Sequence, residues 1–271
     1  MSNTTTPHRK ARRVSVPRGE AFERVTPWAS LLSGLVLWEV VGRSLELRFL
    51  PPFTEVMARL LDLIGSGAVV GDLIRSLGNL VLGFGLALLV GVSVGVAMAR
   101  LRWLEDMLDP FVYALLTAPT VVFVPIYFSI FGLSRWAIVF LVFQYGVFII
   151  IVNTITAVKT VDNELIEMAR VFGSPSGYVT VRKVIIPAAL PLISAGVRLG
   201  MGRCVKGMIN GEILIALVGL GGLSAQFGRA YDAAGVLAVL LLVIAVAVLA
   251  DELVRLVDQR VNAWLPSTQR S

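Results

Sequence analysis

At 271 residues, 56% of them hydrophobic and 15% charged, with a mean hydropathy of +0.82, the chain carries more apolar surface than one water-soluble core can hide. This excludes an ordinary soluble domain, and the lack of polar–apolar alternation along the apolar stretches excludes a β-barrel. The net charge of +6 follows the pattern of a multi-pass helical membrane protein and not that of a nucleic-acid binder.

In chain order, the first element is a basic tail, residues 1–27, with Arg9, Lys10, Arg12, Arg13, Arg18 and Arg24; this composition places it in the cytoplasm. Six apolar spans are then expected, at 28–46, 76–99, 108–132, 135–158, 188–218 and 234–256. The first has no small-residue cleavage site and reads as an anchor, not a signal peptide. With the tail inside, segments 100–107, 159–187 and 257–271 are cytoplasmic and rich in Lys and Arg. The outer segments hold Arg43, Arg48, Arg59, Arg75, Arg135 and Arg229. The transmembrane domain thus covers 28–256, with both termini inside.

Between the first two spans, TEVMARLLDLIGSG has Thr54 at an N-cap position and Val56, Leu60 and Ile64 on one helical face. It is expected to lie along the outer membrane surface, against an external partner or against neighbouring spans. Gly91/Gly95, Gly196/Gly200 and Gly207/Gly211 form GxxxG pairs that let helices approach closely. Pro119 and Pro125 should kink or unwind the third span beside Thr117 and Thr120, as pore lining or as a static bend. Glu39, Gln144 and Asn153 are expected to make interhelical hydrogen bonds. Cys204 is the only cysteine and His8 the only histidine, so no disulfide, His/Cys metal cluster or Ser/His/Asp set can be assembled. No cofactor is expected in this chain.

The inner segment 159–187 interrupts the apolar pattern. Asp162 can cap a short helix, NELIEMARVF, that Gly173 would end. Glu164, Glu167 and Arg170 fall on or near one face; Leu165, Met168, Ala169 and Phe172 form the other. Ser174-Pro175 then starts a second helix carrying Tyr178, Val181, Arg182 and Lys183, which Pro187 is expected to interrupt. Two short amphipathic helices bury little alone, so their apolar faces rest on the membrane or on another protein.

The fifth span carries Arg198, Arg203, Lys206, Asn210 and Glu212, which must face protein or water. Arg203, Lys206 and Asn210 share one face at i, i+3, i+7, whereas Glu212 lies on roughly the opposite side and needs another partner. Two readings stand for the charges: a cationic stripe lining an anion route, or pairing of Arg203 and Glu212 with other spans.

Glu167-Met168-Ala169, Gly173 and Pro187 resemble the EAA loop of binding-protein-dependent ABC transporter permeases. LWEVVG at 37–42, FLPPFTEV at 49–56, VNTITAVKTVDNELIEMAR at 152–170, LPLISAGVRLGMGR at 190–203 and GEILIALVGLGGL at 211–223 look like the nitrate/sulfonate/taurine branch. Three features depart from the pattern. Met168 replaces an alanine, Ser174 to Lys183 is one residue longer, and Lys206 stands where an apolar residue is expected.

The resemblance implies an all-α, type I ABC importer permease architecture, MetI-like, in a bacterial inner membrane. It implies docking of Glu164, Glu167, Met168, Ala169, Phe172, Gly173, Tyr178 and Pro187 on a cytoplasmic ATPase dimer, where ATP and Mg would bind. It further implies an extracytoplasmic solute-binding protein and a second permease copy. A small anion, such as a sulfonate, nitrate, taurine or an aromatic carboxylate, is the expected solute. Thr117, Thr120, Gln144, Arg203, Lys206 and Asn210 are the candidates for its path. The chain has no Gly-Lys dipeptide, hence no phosphate-cradling Walker loop of its own. The rival class is an ATP-independent secondary transporter, coupling through Glu39 or Glu212, or a membrane scaffold.

Overall fold

A computed structural model of the protein describes residues 20–45, 49–172, 177–215 and 218–262, with the backbone alone at 20–28, 170 and 178. The helices are α1 (Glu20–Ser44), α2 (Phe53–Gly65), α3 (Val70–Arg100), α4 (Arg102–Thr117), α5 (Val124–Phe131), α6 (Arg135–Lys159), α7 (Asn163–Val171), α8 (Gly177–Thr180), α9 (Ile186–Ile215), α10 (Gly219–Arg229) and α11 (Ala233–Val261). The chain divides into two compact units, 1–55 and 56–271.

In the smaller unit, two of the stretches that carry the family resemblance fold onto each other. Trp38 Nε1 donates to the Pro51 carbonyl at 3.1 Å, and its ring meets Phe53 edge-on at 5.4 Å. Gly42 is required at this crossing, because a Cβ there would sit 2.9 Å from the Pro52 backbone. Thr54 does not cap α2, which starts one residue earlier, at Phe53. Its N–H and hydroxyl instead both donate to the Glu39 carboxylate, each at 3.0 Å.

In the larger unit, α3, α6, the helix over Val181–Ile215 and α11 are each long and apolar enough to cross a membrane. α4 and the segment Thr120–Phe131 make a fifth span only as a pair bent by 100°. The expected first span falls on α1 and is not among these. The third span is therefore broken, not merely kinked. The break lies at Ala118-Pro119, where both residues adopt extended ψ values. Pro125 bends nothing: it occupies the first turn of α5, where its missing N–H has no cost.

α6 is the axis of the bundle. Ile138, Val139, Leu141, Val142 and Ile150 are essentially inaccessible. α3 and α9 grip it from two sides through glycines. A Cβ on Gly91 would meet Ile150 at 2.7 Å, and one on Gly200 would meet the same side chain at 2.6 Å. Ile150 thus fits between two backbones that only glycine can bring so near. Outward, α3 and α11 expose Val81, Leu89, Val248, Leu249 and Leu253, as lipid contact requires. Asn153, expected to bond across helices, instead donates to the Ile149 carbonyl of its own helix at 2.7 Å.

The C-terminal ends of α3, α6 and α11 share one side with the start of α9. Arg100, Arg102, Lys159, Arg182, Lys183 and Arg260 gather there, so this side is cytoplasmic. Lys159 pairs with Glu105, and Arg198 pairs with Asp258 at 3.3 Å. On the opposite side, Val56 is buried and Leu60 half-buried along α2, as expected, but Ile64 is exposed and Leu63 is buried in its place. Arg59 of α2 pairs with Asp232 at 3.1 Å and lies over the Phe227 ring. Asp232 also caps α11 through the Gly235 N–H at 2.7 Å.

Candidate functional site

The break in the third span opens a cavity of about 390 Å³. Its walls are Ala118, Pro119, Thr120 and Val121 at the break, Gln144, Tyr145 and Phe148 on α6, and Arg203 and Lys206 on α9. Irregular backbone at membrane depth is tolerated only where protein or water solvates its polar groups, so a polar cavity belongs there. Arg203 and Lys206 stand one turn apart, are exposed, and have no ion-pair partner among the described residues. Pairing of Arg203 with another span within this chain is therefore not what the structure has.

Both charged groups in these walls are donors. Gln144 is 6% exposed, and its Oε1 accepts from the Tyr127 hydroxyl at 2.5 Å. That leaves its amide N–H groups to face an occupant. No Asp or Glu is among the described residues that line the cavity. With two cations that no described carboxylate offsets, the site favours an anion.

Of the six candidate path residues, the structure brings Thr120, Gln144, Arg203 and Lys206 to this cavity. Asn210 lies one turn beyond, where its Nδ2 donates to the Tyr145 hydroxyl at 2.8 Å and fixes that ring in the wall. Thr117 does not line it: its hydroxyl folds back on the carbonyls of Tyr113 and Ala114, at 2.9 and 3.1 Å. Tyr145 and Phe148 were not among the residues expected from sequence to line the path. Gly207 was the available signal, since a Cβ there would lie 2.8 Å from the Tyr145 ring.

At the outer end, Glu212 is fully buried, and none of the ion pairs among the described residues involves it. Its Oε2 accepts from Ser76 Oγ at 2.7 Å and from Gly221 N at 3.1 Å, and its Oε1 accepts from Asn79 Nδ2 at 3.3 Å. Asp72 accepts from Gly219 N at 3.0 Å. Gly219 needs to be glycine twice over: its φ is +77°, and a Cβ would collide with the Glu212 carboxylate. Asp72, Ser76 and Asn79 recur at i, i+4, i+7, a polar stripe on α3 that could have announced this cluster.

At the cytoplasmic end, Asp162 Oδ1 accepts from Glu164 N at 2.9 Å and starts α7 as expected. Ile166 packs against the cluster formed by Ala157, Val158, Ile185, Ala189 and Ile193. The other apolar side chains point away: Leu165 and Met168 are exposed, Val171 is 84% exposed and Phe172 87%. Glu164 and Glu167 are exposed, and Ala169 is half-buried. Gly173 and the Ser174-Pro175 turn lie outside the described residues, as does the side chain of Tyr178.

Pro187 does not interrupt the second helix. α8 runs through a π-helical turn at Val181–Ile185 straight into α9. Ile186 N donates to the Val181 carbonyl, a ring one residue wider than in an α-helix. The widening sits where Pro187 would remove an α-helical bond.

Residues 87–263 match the family of binding-protein-dependent transport system inner membrane components. The chain belongs to this family. Among its relatives, the bicarbonate transport system permease of Synechococcus elongatus is 32% identical, over 72% of this chain and 74% of that protein. A protein of Escherichia coli named as an aliphatic sulfonates transport permease is 29% identical, over 90% of this chain and 93% of its own length. An ABC transporter permease protein of Brucella melitensis is 29% identical, over 79% and 87%. An inward-facing structure of the MetNI methionine ABC transporter superposes with a TM-score of 0.64 at 20% identity, covering 71% of this chain and 95% of that one. The fold is thus the type I permease fold. The protein is the permease subunit of an ABC importer of the inner membrane, and ATP hydrolysis belongs to a separate chain. Its family works with such an ATPase and with a solute-binding protein. A secondary carrier is excluded.

Proposed function

We propose that this permease admits a small anion through the cavity between the α4–α5 break, α6 and α9. Arg203 and Lys206 supply the charge and Gln144 and Thr120 the hydrogen bonds. The observation that carries the reading is that two cations without an ion-pair partner among the described residues and an amide meet in a cavity whose described lining holds no carboxylate. The relatives named for bicarbonate and for sulfonates carry small oxyanions, which fits the same chemistry.

In this reading two permease copies, identical or closely similar, enclose the path and present two α7 segments to two ATPase subunits. ATP and Mg bind on those subunits. Phe172, Met168, Leu165 and Val171 are the side chains the ATPase covers, with Glu164 and Glu167 beside them. Ala169 and Gly173 keep the contact close, and Tyr178 lies on the next turn. The π turn ahead of Pro187 joins α8 to α9 as one continuous helix, so a push on α8 reaches Arg203 and Lys206 along it.

The test is uptake by proteoliposomes holding the permease, its ATPase and its binding protein. ATP-dependent uptake of a sulfonate or bicarbonate, not competed by neutral analogues, is expected. Uptake of only neutral or cationic solutes would overturn the anion reading.

A further inference from the structure

A second cationic cavity, of about 470 Å³, lies at the outer end of the bundle. It is lined by Ile74, Arg75, Gly78 and Asn79 on α3, Leu133, Ser134 and Arg135 at the α5–α6 junction, and Ile215 and Val218 beyond α9. Arg135 is the first residue of α6 and Ile215 the last of α9, and Arg75 stands in the second turn of α3. All lie at helix ends, the depth of lipid headgroups.

Two features show the site to be polar and incomplete. Neither Arg75 nor Arg135 has a carboxylate within ion-pair reach among the described residues, and Arg135 uses its Nε on Asn79 Oδ1 at 3.2 Å. The Ser134 hydroxyl is buried and has no hydrogen-bond partner. Ser134 is also the N-cap of α6 and makes no side-chain cap bond, so the helix terminus adds its partial positive charge to the two guanidiniums.

The cavity is not a continuation of the transport path. Arg135 precedes Gln144 by nine positions on α6, and Ile215 follows Lys206 by nine on α9. Nine residues are about two and a half turns. On both helices the two cavities therefore open to opposite faces. Next to the arginines, Ile74 and Leu133 are each 64% exposed. Two cations at headgroup depth, with large aliphatic side chains exposed beside them, fit a phosphate diester attached to acyl chains.

We infer that this cavity binds the phosphate of an anionic phospholipid of the outer leaflet. Arg75 and Arg135 hold the phosphate oxygens, Ser134 donates its hydroxyl, and the acyl chains run down Ile74 and Leu133. Through Arg135 and Asn79 the lipid would touch the hydrogen-bond cluster around Glu212.

The test is native mass spectrometry of the full-length permease with dioleoyl phosphatidylglycerol or dioleoyl phosphatidylcholine added. Phosphatidylglycerol should bind the more tightly. Arg75→Gln and Arg135→Gln should each weaken it about tenfold, roughly one charge-assisted hydrogen bond, and Ser134→Ala by less. Arg75→Gln is the decisive variant, because Arg75 bonds no other described residue and its loss should not disturb folding. Lys206→Met should leave lipid binding unchanged. Equal affinity for the two lipids, wild-type binding by Arg75→Gln, or an equal loss in Lys206→Met would each overturn the inference. Displacement of phosphatidylglycerol by inorganic phosphate alone would overturn it too, marking the cavity as a site for soluble anions.

Discussion

Ser76 on α3 donates its hydroxyl to Glu212 on α9 at 2.7 Å, while the same oxygen accepts the Leu220 N–H at 2.9 Å. One serine thereby ties the outer ends of two spans to the first turn of α10. Glu212→Ala should strand the Ser76 hydroxyl and the Gly221 N–H in a buried place, at about 1–3 kcal/mol for each unsatisfied group. A drop of several degrees in the melting temperature of the detergent-solubilised protein is expected. Glu212→Gln keeps one acceptor oxygen and should fall between alanine and wild type. An unchanged melting temperature in Glu212→Ala would show that the cluster does not hold the outer end together.

Ile150 sits between Gly91 and Gly200, which makes the bundle sensitive to single methyl groups. Gly91→Ala should overpack this contact by about 1–3 kcal/mol. Ile150→Ala alone should destabilise by about 2–5 kcal/mol. The double variant should be less damaged than the sum of the two, because the added methyl enters the space that the isoleucine leaves. Thermal denaturation of all four proteins in one detergent measures the coupling; strict additivity would mean that the two side chains do not share space.

Arg203 and Lys206 carry the charge of the proposed anion path. Arg203→Met and Lys206→Met should each reduce ATP-dependent uptake of the anion about tenfold or more, as expected for losing a hydrogen bond from a charged group. Asn210→Ala should act more mildly, through loss of the bond that fixes the Tyr145 ring. Uptake and substrate range both unchanged in Lys206→Met would remove that residue from the path.

Much of the architecture could be read from local rules. Four of the six expected spans follow from length and apolarity, the glycine pairs from their four-residue spacing, and the start of α7 from Asp162; the first span does not, and the third is broken. Local rules also produced the errors. Thr54 looked like a cap because cap residues are recognised by type, yet its hydroxyl is taken by Glu39, fifteen residues away. Pro187 looked like a helix breaker, but a π turn absorbs the missing bond. The partners of Glu212 were invisible because Ser76 lies 136 positions away, and no spacing rule reaches so far. At the cavity the sequence placed cations on one helix face, but the wall opposite them depends on where the third span breaks and on how α6 is rotated.

In the proposed function α7 is the surface through which the ATPase moves this chain, and a crosslink tests that most directly. Cys204 is the only cysteine, so Cys204→Ser gives a background for introducing Phe172→Cys, which 87% exposure leaves open to reagent. In the assembled importer, Phe172→Cys should crosslink to a cysteine in the ATPase's surface cleft, and closing the crosslink should stop ATP-driven uptake. Full uptake with no crosslink to any ATPase position, or uptake surviving removal of residues 163–172, would contradict the account.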